Sequence, residues 1–240
     1  MSSLLIGVIA SLISTIIGYL IAKAVQYLRE LRPLQKTWQF RKDEQICVFI
    51  ASPGEIDTGV YKKRITTLGH IYGFAYILNS IKKGYPNLEI NHLYFTRDSK
   101  TDNFSSELLG STGICLGGHK HNWVTKLFLE EIHPPVVFDE NDNLIDLLNK
   151  KIYKPKVEDD RILEDYGIII KTVNPNNRRN KVFIFAGCHT YGVIAAAKFF
   201  YENLPKMEIV KYNQFEVIVS GKVIGSHVYQ LNKIDQHIID

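Results

Sequence analysis

The chain begins with a long apolar run. Residues 4–22 read LLIGVIASLISTIIGYLIA, and no charged side chain interrupts these 19 positions. A helix of this length spans about 28 Å, close to the thickness of the hydrocarbon core of a bilayer. A cleavable signal peptide would carry a basic start, and Met1-Ser2-Ser3 has none. The pattern predicts a retained, single-pass transmembrane helix in the cell membrane.

Basic residues dominate the segment after this run. They are Lys23, Arg29, Arg32, Lys36, Arg41 and Lys42. The positive-inside rule places this side of the membrane in the cytoplasm. We expect the helix to stop at Pro33, because the residue before a proline disfavours helical backbone. The predicted organisation is a transmembrane helix with a juxtamembrane extension (1–32), a basic linker (33–45) and a cytoplasmic domain (46–240).

One face of the predicted membrane helix carries small residues. They are Gly7, Ser11, Ser14, Gly18 and Ala22, at steps of three or four residues. Such positions stack on one side of a helix, where small side chains let helices approach closely in lipid. The stripe predicts self-association into a homo-oligomer. A lone anchor with small residues there by chance is the alternative.

Apolar strands alternate with helices in the rest of the chain. Strands are predicted over 46–51, 90–95, 113–116, 166–173 and 181–186, and helices over 61–82, 123–132 and 193–204. A short edge strand is predicted at 136–138, a charged surface insertion at 139–160, and a C-terminal β-hairpin from 215–219 and 223–231 across Ser220-Gly221. This alternation is typical of βαβ units. It predicts an α/β fold with a Rossmann-like, mainly parallel sheet covered by helices on both faces.

Composition narrows the functional classes. The 240 residues leave roughly 200 for one well-buried domain after the apolar run. The net charge of +4 comes from lysines spread along the chain, so we expect no direct nucleic-acid binding. Cys47, Cys115 and Cys188 are odd in number and far apart. They argue against a disulfide scaffold and fit a reducing compartment.

Three polar, glycine-bearing turns follow predicted strands: Ser52-Pro53-Gly54, LGGHKHN before the helix at 123, and GCHTYG before the helix at 193. Parallel sheets bind ligands outside the carboxyl ends of their strands, and helix N-termini attract anions. Each turn alone could be a packing turn that needs glycine. Together they predict a site for a nucleotide-derived ligand, and the candidate binding residues are Ser52, Gly54, Arg97, Gly117, Gly118, His119, Lys120, Asn122, Gly187, His189, Thr190 and Gly192.

Other chemistries fit the sequence less well. Neither a Walker motif nor GxGxxG is present. His119 and His121, with Cys188 and His189, lack a familiar zinc spacing, so we predict neither a metal nor a cofactor. Cys188 beside His189 in sequence does not make a nucleophile–base pair, and no acid pair is evident, so we assign no catalytic residue.

The layout over about residues 46–204, with the LGGHKHN and AGCHTYG turns, resembles Rossmann-like sensor and effector domains of prokaryotic antiviral defence, such as the CARF and SLOG types. The resemblance implies a cytoplasmic domain that responds to a cyclic oligonucleotide or an NAD-derived signal. Membrane effectors encoded beside short Argonaute proteins imply an activating protein partner instead.

These expectations describe a membrane effector of prokaryotic immunity. Its cytoplasmic domain would sense the signal, and oligomers would then disrupt or depolarise the membrane. A membrane-tethered nucleotide-processing enzyme that cleaves a glycosidic bond is the first alternative. A membrane anchor that recruits a soluble partner is the second.

Overall fold

The computed structural model describes residues 2–98 and 102–239. The helices are α1 (Ser2–Gln26), α2 (Arg32–Trp38), α3 (Leu68–Gly84), α4 (Ser106–Leu109), α5 (Trp123–Ile132) and α6 (Thr190–Glu202). The strands are β1 (Ile46–Ala51), β2 (Gly54–Asp57), β3 (Lys62–Ile65), β4 (His92–Thr96), β5 (Thr112–Leu116), β6 (Val136–Phe138), β7 (Leu144–Asp146), β8 (Lys151–Tyr153), β9 (Lys156–Glu158), β10 (Arg161–Asn174), β11 (Asn177–Gly187), β12 (Phe215–Ile224) and β13 (His227–Ile238).

The N-terminal helix continues beyond Pro33, so the prediction that it stops there is wrong. A π-helical turn, Tyr27–Leu31, joins α1 to α2, and the Arg32 N–H donates to the Tyr27 carbonyl. This wider turn changes the backbone hydrogen-bond pattern just before Pro33. Pro33 therefore lies in the first turn of α2, where its missing N–H group leaves no hydrogen bond unmade. Within the described residues, Ile6–Trp38 is the one helix long and apolar enough to cross a membrane.

Helix α2 belongs to the folded domain. Trp38 is completely buried, and its ring centroid lies 4.6 Å from that of Phe200 and 4.7 Å from that of Phe183. Trp38 Nε1 donates to Ser80 Oγ at 2.9 Å. Leu34 is also buried. The segment predicted as a basic linker over 33–45 is therefore partly core, because its apolar side chains pack on α3 and α6.

The main sheet has the order β13-β12-β10-β11-β5-β1-β4, with β9 paired to β10. Strands β4, β1, β5 and β11 are parallel, whereas β11, β10, β12 and β13 pair antiparallel. The α/β class is confirmed, and the sheet is mixed: its core strands are mostly parallel, as predicted, but the strands on the β13 side are antiparallel. The reason is that β10 and β11 form a hairpin through Pro175 instead of a helical crossover.

Helices cover both faces of the sheet. One core includes Ile50, Leu116 and Phe185 beneath α3 and α6, and the other includes Phe49 and Ile184 beneath α5. Central strands buried on both faces read as continuous apolar runs, which is why β1, β5 and β11 were predicted within a few residues of their bounds.

Several element boundaries differ from the predictions. The helix predicted from residue 61 begins at Leu68, because a β2–β3 hairpin occupies residues 54–65. The predicted surface insertion contains strands β7, β8 and β9, and β6, β7 and β8 form a separate small sheet. The C-terminal hairpin is confirmed, but its strands run to Ile224 and from His227, so Ser220-Gly221 lie within β12.

Candidate functional site

A cleft opens where three neighbouring parallel strands end. β5 lies between β1 and β11. The chain leaves β1 for β4 on one side and returns to β5 on the other side. Connections that diverge in this way leave a crevice between strand ends, where α/β sheets bind ligands. The three turns expected to converge do lie at this edge.

The cleft has a volume of about 220 Å³. It is lined by Pro53, Thr67, His70, Gly118, Lys120, His121, Phe138, Asp142, Gly187, Cys188, His189, Thr190 and Val193. Drug-sized ligands occupy pockets of about 300–1,000 Å³, so a cleft of this size suits a phosphate or one part of a nucleotide. Its imidazole and ammonium groups offer donors to an anion.

His70 is a lining residue that the sequence analysis missed. It lies in the first turn of α3, and its Nδ1 is 3.1 Å from Thr67 Oγ1 and 3.2 Å from Thr66 Oγ1. Burial, with a smaller contribution from His121, lowers its pKa to about 4. The imidazole is therefore neutral at pH 7. The Thr67 side chain accepts from the His70 N–H, and this N-cap was the available sequence signal.

Lys120 reaches the cleft from the turn after β5. Its Nζ lies 2.7 Å from Asp142 Oδ2 and 3.0 Å from the Glu140 carbonyl oxygen. The turn between β6 and β7 thus holds the ammonium group of Lys120 at the rim of the cleft. An anion that enters the cleft would compete with Asp142 for this lysine.

Four residues of the third turn line the cleft: Gly187, Cys188, His189 and Thr190. His189 is the N-cap residue of α6, and its exposed side chain makes no capping hydrogen bond. Thr190 Oγ1 lies 2.8 Å from Thr67 Oγ1 and so joins the start of α6 to the start of α3. His189 and Thr190 are both predicted binding residues, and both line the cleft.

The two glycines after β5 have different roles. Gly117 has a φ of +105°, and a Cβ there would lie 2.4 Å from Ala51 Cβ, so both conformation and space require glycine. A Cβ on Gly118 would meet only the Gly187 carbonyl oxygen, at 3.7 Å. Gly118 is therefore the glycine that leaves room in the cleft.

Ser52 and Asn122, both predicted to bind the ligand, make hydrogen bonds within the domain. Asn122 is fully buried; its Oδ1 accepts from Thr125 N–H and its Nδ2 donates to the Phe49 carbonyl. The Ser52 hydroxyl donates to the Ile65 carbonyl oxygen at 2.8 Å. Neither side chain lines the cleft, because both close turns behind it.

A carboxylate of the protein itself already lies at the start of α6, and the sequence-based prediction did not include it. The fully buried Asp165 accepts the Gly192 N–H at 2.6 Å and the Tyr166 N–H at 2.9 Å. Burial raises its pKa to about 6 although these N–H groups and His189 act to lower it. A Cβ on Gly192 would lie 2.0 Å from the Tyr166 carbonyl oxygen. Gly192 therefore allows α6 to pack on β10 and does not contact the cleft.

Three further predicted residues lie outside the cleft lining. Gly54 begins β2, and Arg97 follows β4, where its Nη1 lies 3.7 Å from Glu55 Oε2. The His119 ring packs 5.1 Å from the Phe138 ring and lines a second cavity, of about 390 Å³, beside α5.

Cys188 lines the cleft but is poorly suited to act as a nucleophile. Burial, with the charge of Asp165, raises the pKa of its thiol to about 12. The reactive thiolate is therefore scarce at neutral pH.

The predicted helix-packing face is open. Gly7, Ser11, Ser14, Gly18 and Ala22 are all exposed, and a Cβ on Gly7 or Gly18 would meet no atom within 4 Å. No described residue of the domain covers the apolar stretch of α1. No protein-family profile, curated protein or solved structure matches this chain.

Proposed function

We propose that this protein is a membrane-anchored sensor whose cytoplasmic domain binds a nucleotide-derived anion in the cleft and relays binding to its transmembrane helix. The main support is the path of α3 and α6, because both helices begin at the cleft and end at α2. Thr67 and Thr190 lie at one end. At the other end, Gln35 Nε2 donates to the Gly84 carbonyl at 2.9 Å, and Phe200 packs on Trp38.

The lining chemistry supports an anionic ligand. His121, His189 and Lys120 carry N–H donors, and His70 adds a neutral imidazole beneath them. Gly118 lets the ligand approach the backbone. The volume accommodates a phosphate group, while a base or second nucleotide would extend beyond the rim.

The relay would act through rigid elements. Helix α3 has 17 residues and spans about 25 Å. Lys83 at its end pairs with Glu30 of the π-helical turn at 2.9 Å. A ligand that prefers one arrangement of Thr67 and Thr190 would bias the positions of both helices and hence of α2. Association of the domains would then bring the small-residue stripes together in the bilayer.

The proposed effect on the membrane rests on the sequence, namely on the small-residue stripe and on the resemblance to antiviral effectors. Oligomers formed along the small-residue stripe would disrupt or depolarise the membrane in prokaryotic antiviral defence. An activating protein partner, such as a short Argonaute complex, could bind the same face of the domain in place of a nucleotide.

Membrane insertion is tested by carbonate extraction of the full-length protein. We expect it to stay in the membrane fraction because α1 has no charged residue before Lys23. Release into the soluble fraction would end the membrane-effector proposal.

Ligand binding is tested on detergent-solubilised full-length protein by calorimetry and thermal shift with phosphate, ADP-ribose, NAD⁺ and cyclic oligoadenylates. Lys120→Met and His189→Ala should each weaken binding, whereas His227→Ala, an exposed histidine outside the cleft lining, should not. Absence of any response, or equal binding by the cleft variants, would refute the site. Turnover of the ligand would favour the membrane-tethered enzyme instead.

The helix face is tested by Ser14→Leu with Gly18→Leu in cells that carry the activating signal. We expect loss of depolarisation, because larger side chains keep the helices apart. Ile13→Leu is the control and should behave as the parent. If the double variant depolarises cells normally, the helix is only an anchor.

A further inference from the structure

A polar cluster lies between the small sheet and the C-terminal hairpin, outside the cleft lining. Asp146 ends β7, and Asp235 and His237 lie on β13. One side-chain ligand atom from each lies within 4.8 Å of the others. Asp146 is completely buried, and its Oδ2 is 3.0 Å from His237 Nε2. Asn149 Nδ2 donates to both carboxylates, at 3.0 Å to Asp146 and 2.8 Å to Asp235.

Glu216 is an independent sign that this cluster holds a ligand. It is completely buried on β12, and within the described chain neither carboxylate oxygen has a hydrogen-bond partner. It stands opposite His237 in the β12–β13 ladder, and opposite residues of an antiparallel pair share one face. Asp146 lies close enough for its charge to act on the Glu216 carboxyl. A buried carboxyl left unpaired costs free energy.

The tyrosine beside the cluster shows the same lack of a partner. Tyr153 lies on β8 next to β7, and its hydroxyl is buried without a hydrogen bond among the described residues. After burial, the charges of Asp235 and Asp146 are the main causes that raise its pKa. The Tyr153 hydroxyl and the Glu216 carboxyl are therefore two buried polar groups near Asp146 that have no hydrogen-bond partner among the described residues.

Among the described residues, the carboxylates of the cluster have His237 as an ion-pair partner but no lysine or arginine. Across residues 2–98 and 102–239, no lysine or arginine forms an ion pair with Asp146, Asp235 or Glu216. The Asp146–His237 hydrogen bond alone would explain two members of the cluster and leave Glu216 unexplained.

We propose that Asp146, Asp235, His237 and Glu216 bind a divalent transition-metal ion of the Zn²⁺ type. One imidazole nitrogen with carboxylate oxygens is a donor set that suits zinc better than magnesium or calcium, which prefer oxygen alone. Asn149 would orient the two aspartates as a supporting partner. Because the ligands come from β7, β12 and β13, the ion would tie the small sheet to the main sheet.

This site would also support the cleft. The small sheet carries Phe138 at the end of β6 and Asp142 in the turn before β7, and both line the cleft. An ion that fixes β7 against β13 would therefore fix the partner of Lys120. The role is structural, and the metal does not reach the cleft lining.

The test uses the full-length protein in detergent. After dialysis against Zn²⁺ and then buffer, elemental analysis should find about one zinc per chain. The melting temperature should fall with EDTA and recover with Zn²⁺ but not Mg²⁺. His237→Gln and Glu216→Gln, measured against a chromophoric chelator, should each weaken zinc binding about tenfold or more. His227→Gln, on an exposed part of β13, should bind zinc as the parent does.

Two results would overturn the proposal. One is wild-type protein without stoichiometric zinc whose melting temperature responds to neither EDTA nor Zn²⁺, a measurement that needs no variant to fold. The other is full zinc binding by His237→Gln, which would place the metal at other groups such as the cleft histidines.

Discussion

Trp38→Ala should loosen the joint between the apolar N-terminal helix and the domain. Trp38 is completely buried and packs on Phe40, Phe183 and Phe200 with ring-centroid distances of 4.9, 4.7 and 4.6 Å. Truncation of such a residue to alanine costs about 3–5 kcal/mol. It also leaves Ser80 Oγ without its donor, which adds to the loss because a buried polar group is left unpaired.

The expected size of the effect is large. For a chain of this length, each kcal/mol lowers the melting temperature by about 2–4 °C, so we expect a drop of roughly 6–20 °C. Differential scanning calorimetry of the detergent-solubilised protein measures it. Trp38→Phe keeps an aromatic ring but loses the Nε1–H donor, so it should cost about 1–3 kcal/mol.

Tyr27, in the π-helical turn just before α2, provides a control. Tyr27 is exposed, and Tyr27→Ala should change the free energy of unfolding by no more than about 0.5 kcal/mol. If Trp38→Ala melts within 2 °C of the parent, on the order of a surface substitution, then α2 is not part of the cooperative core. The relay from cleft to membrane would then lose its physical basis.

Further predictions concern the cleft and its supports. Gly192→Ala should abolish folding because its Cβ would lie 2.0 Å from the Tyr166 carbonyl oxygen, whereas Gly118→Ala should express and melt as the parent does. The pKa of His70 is lowered from 6.5 to about 4, so the parent should lose stability to urea as pH falls through this range, and His70→Gln should lose less. The pKa of Asp165 is raised from 3.8 to about 6, so its contribution has the opposite sign: Asp165→Asn should gain stability relative to the parent as pH rises from 4 to 6. Parallel curves for parent and variant would contradict either pH prediction.

Much of the fold could be predicted from local pattern. Strand β1 is an uninterrupted apolar run, and β5 is one after Thr112. Helix α5 was predicted with its observed bounds because Asn122 caps it and its apolar residues have helical spacing. The orientation of β10 against β11 could not be predicted in this way. Strand direction depends on the connection, and the polar turn between them gives no periodic signal.

The site was predicted only in part, for a related reason. Gly118, Lys120 and His189 lie on the turns that follow strands, and topology alone brings them together. His70 was missed because a hairpin separates β1 from α3 and shifts the start of the helix. Asn122 and Gly192 do not line the cleft, and the sequence could not show this, because a residue that closes a turn has the same local sequence as one that binds an anion.

Helix α1, the π-helical turn and α2 form one continuous helix. The rotation of α1 about its own axis is therefore fixed relative to the domain. Trp38 fixes the angle at which the helix leaves the domain, and each residue along an α-helix advances the face by about 100°. The side of α1 that bears Gly18 is thereby set relative to the cleft. One residue added within α1 after Gly18 would turn that side by about 100° without altering a single contact in the domain. In a ring of chains, the same angle would decide whether the clefts face outward, inward or one another.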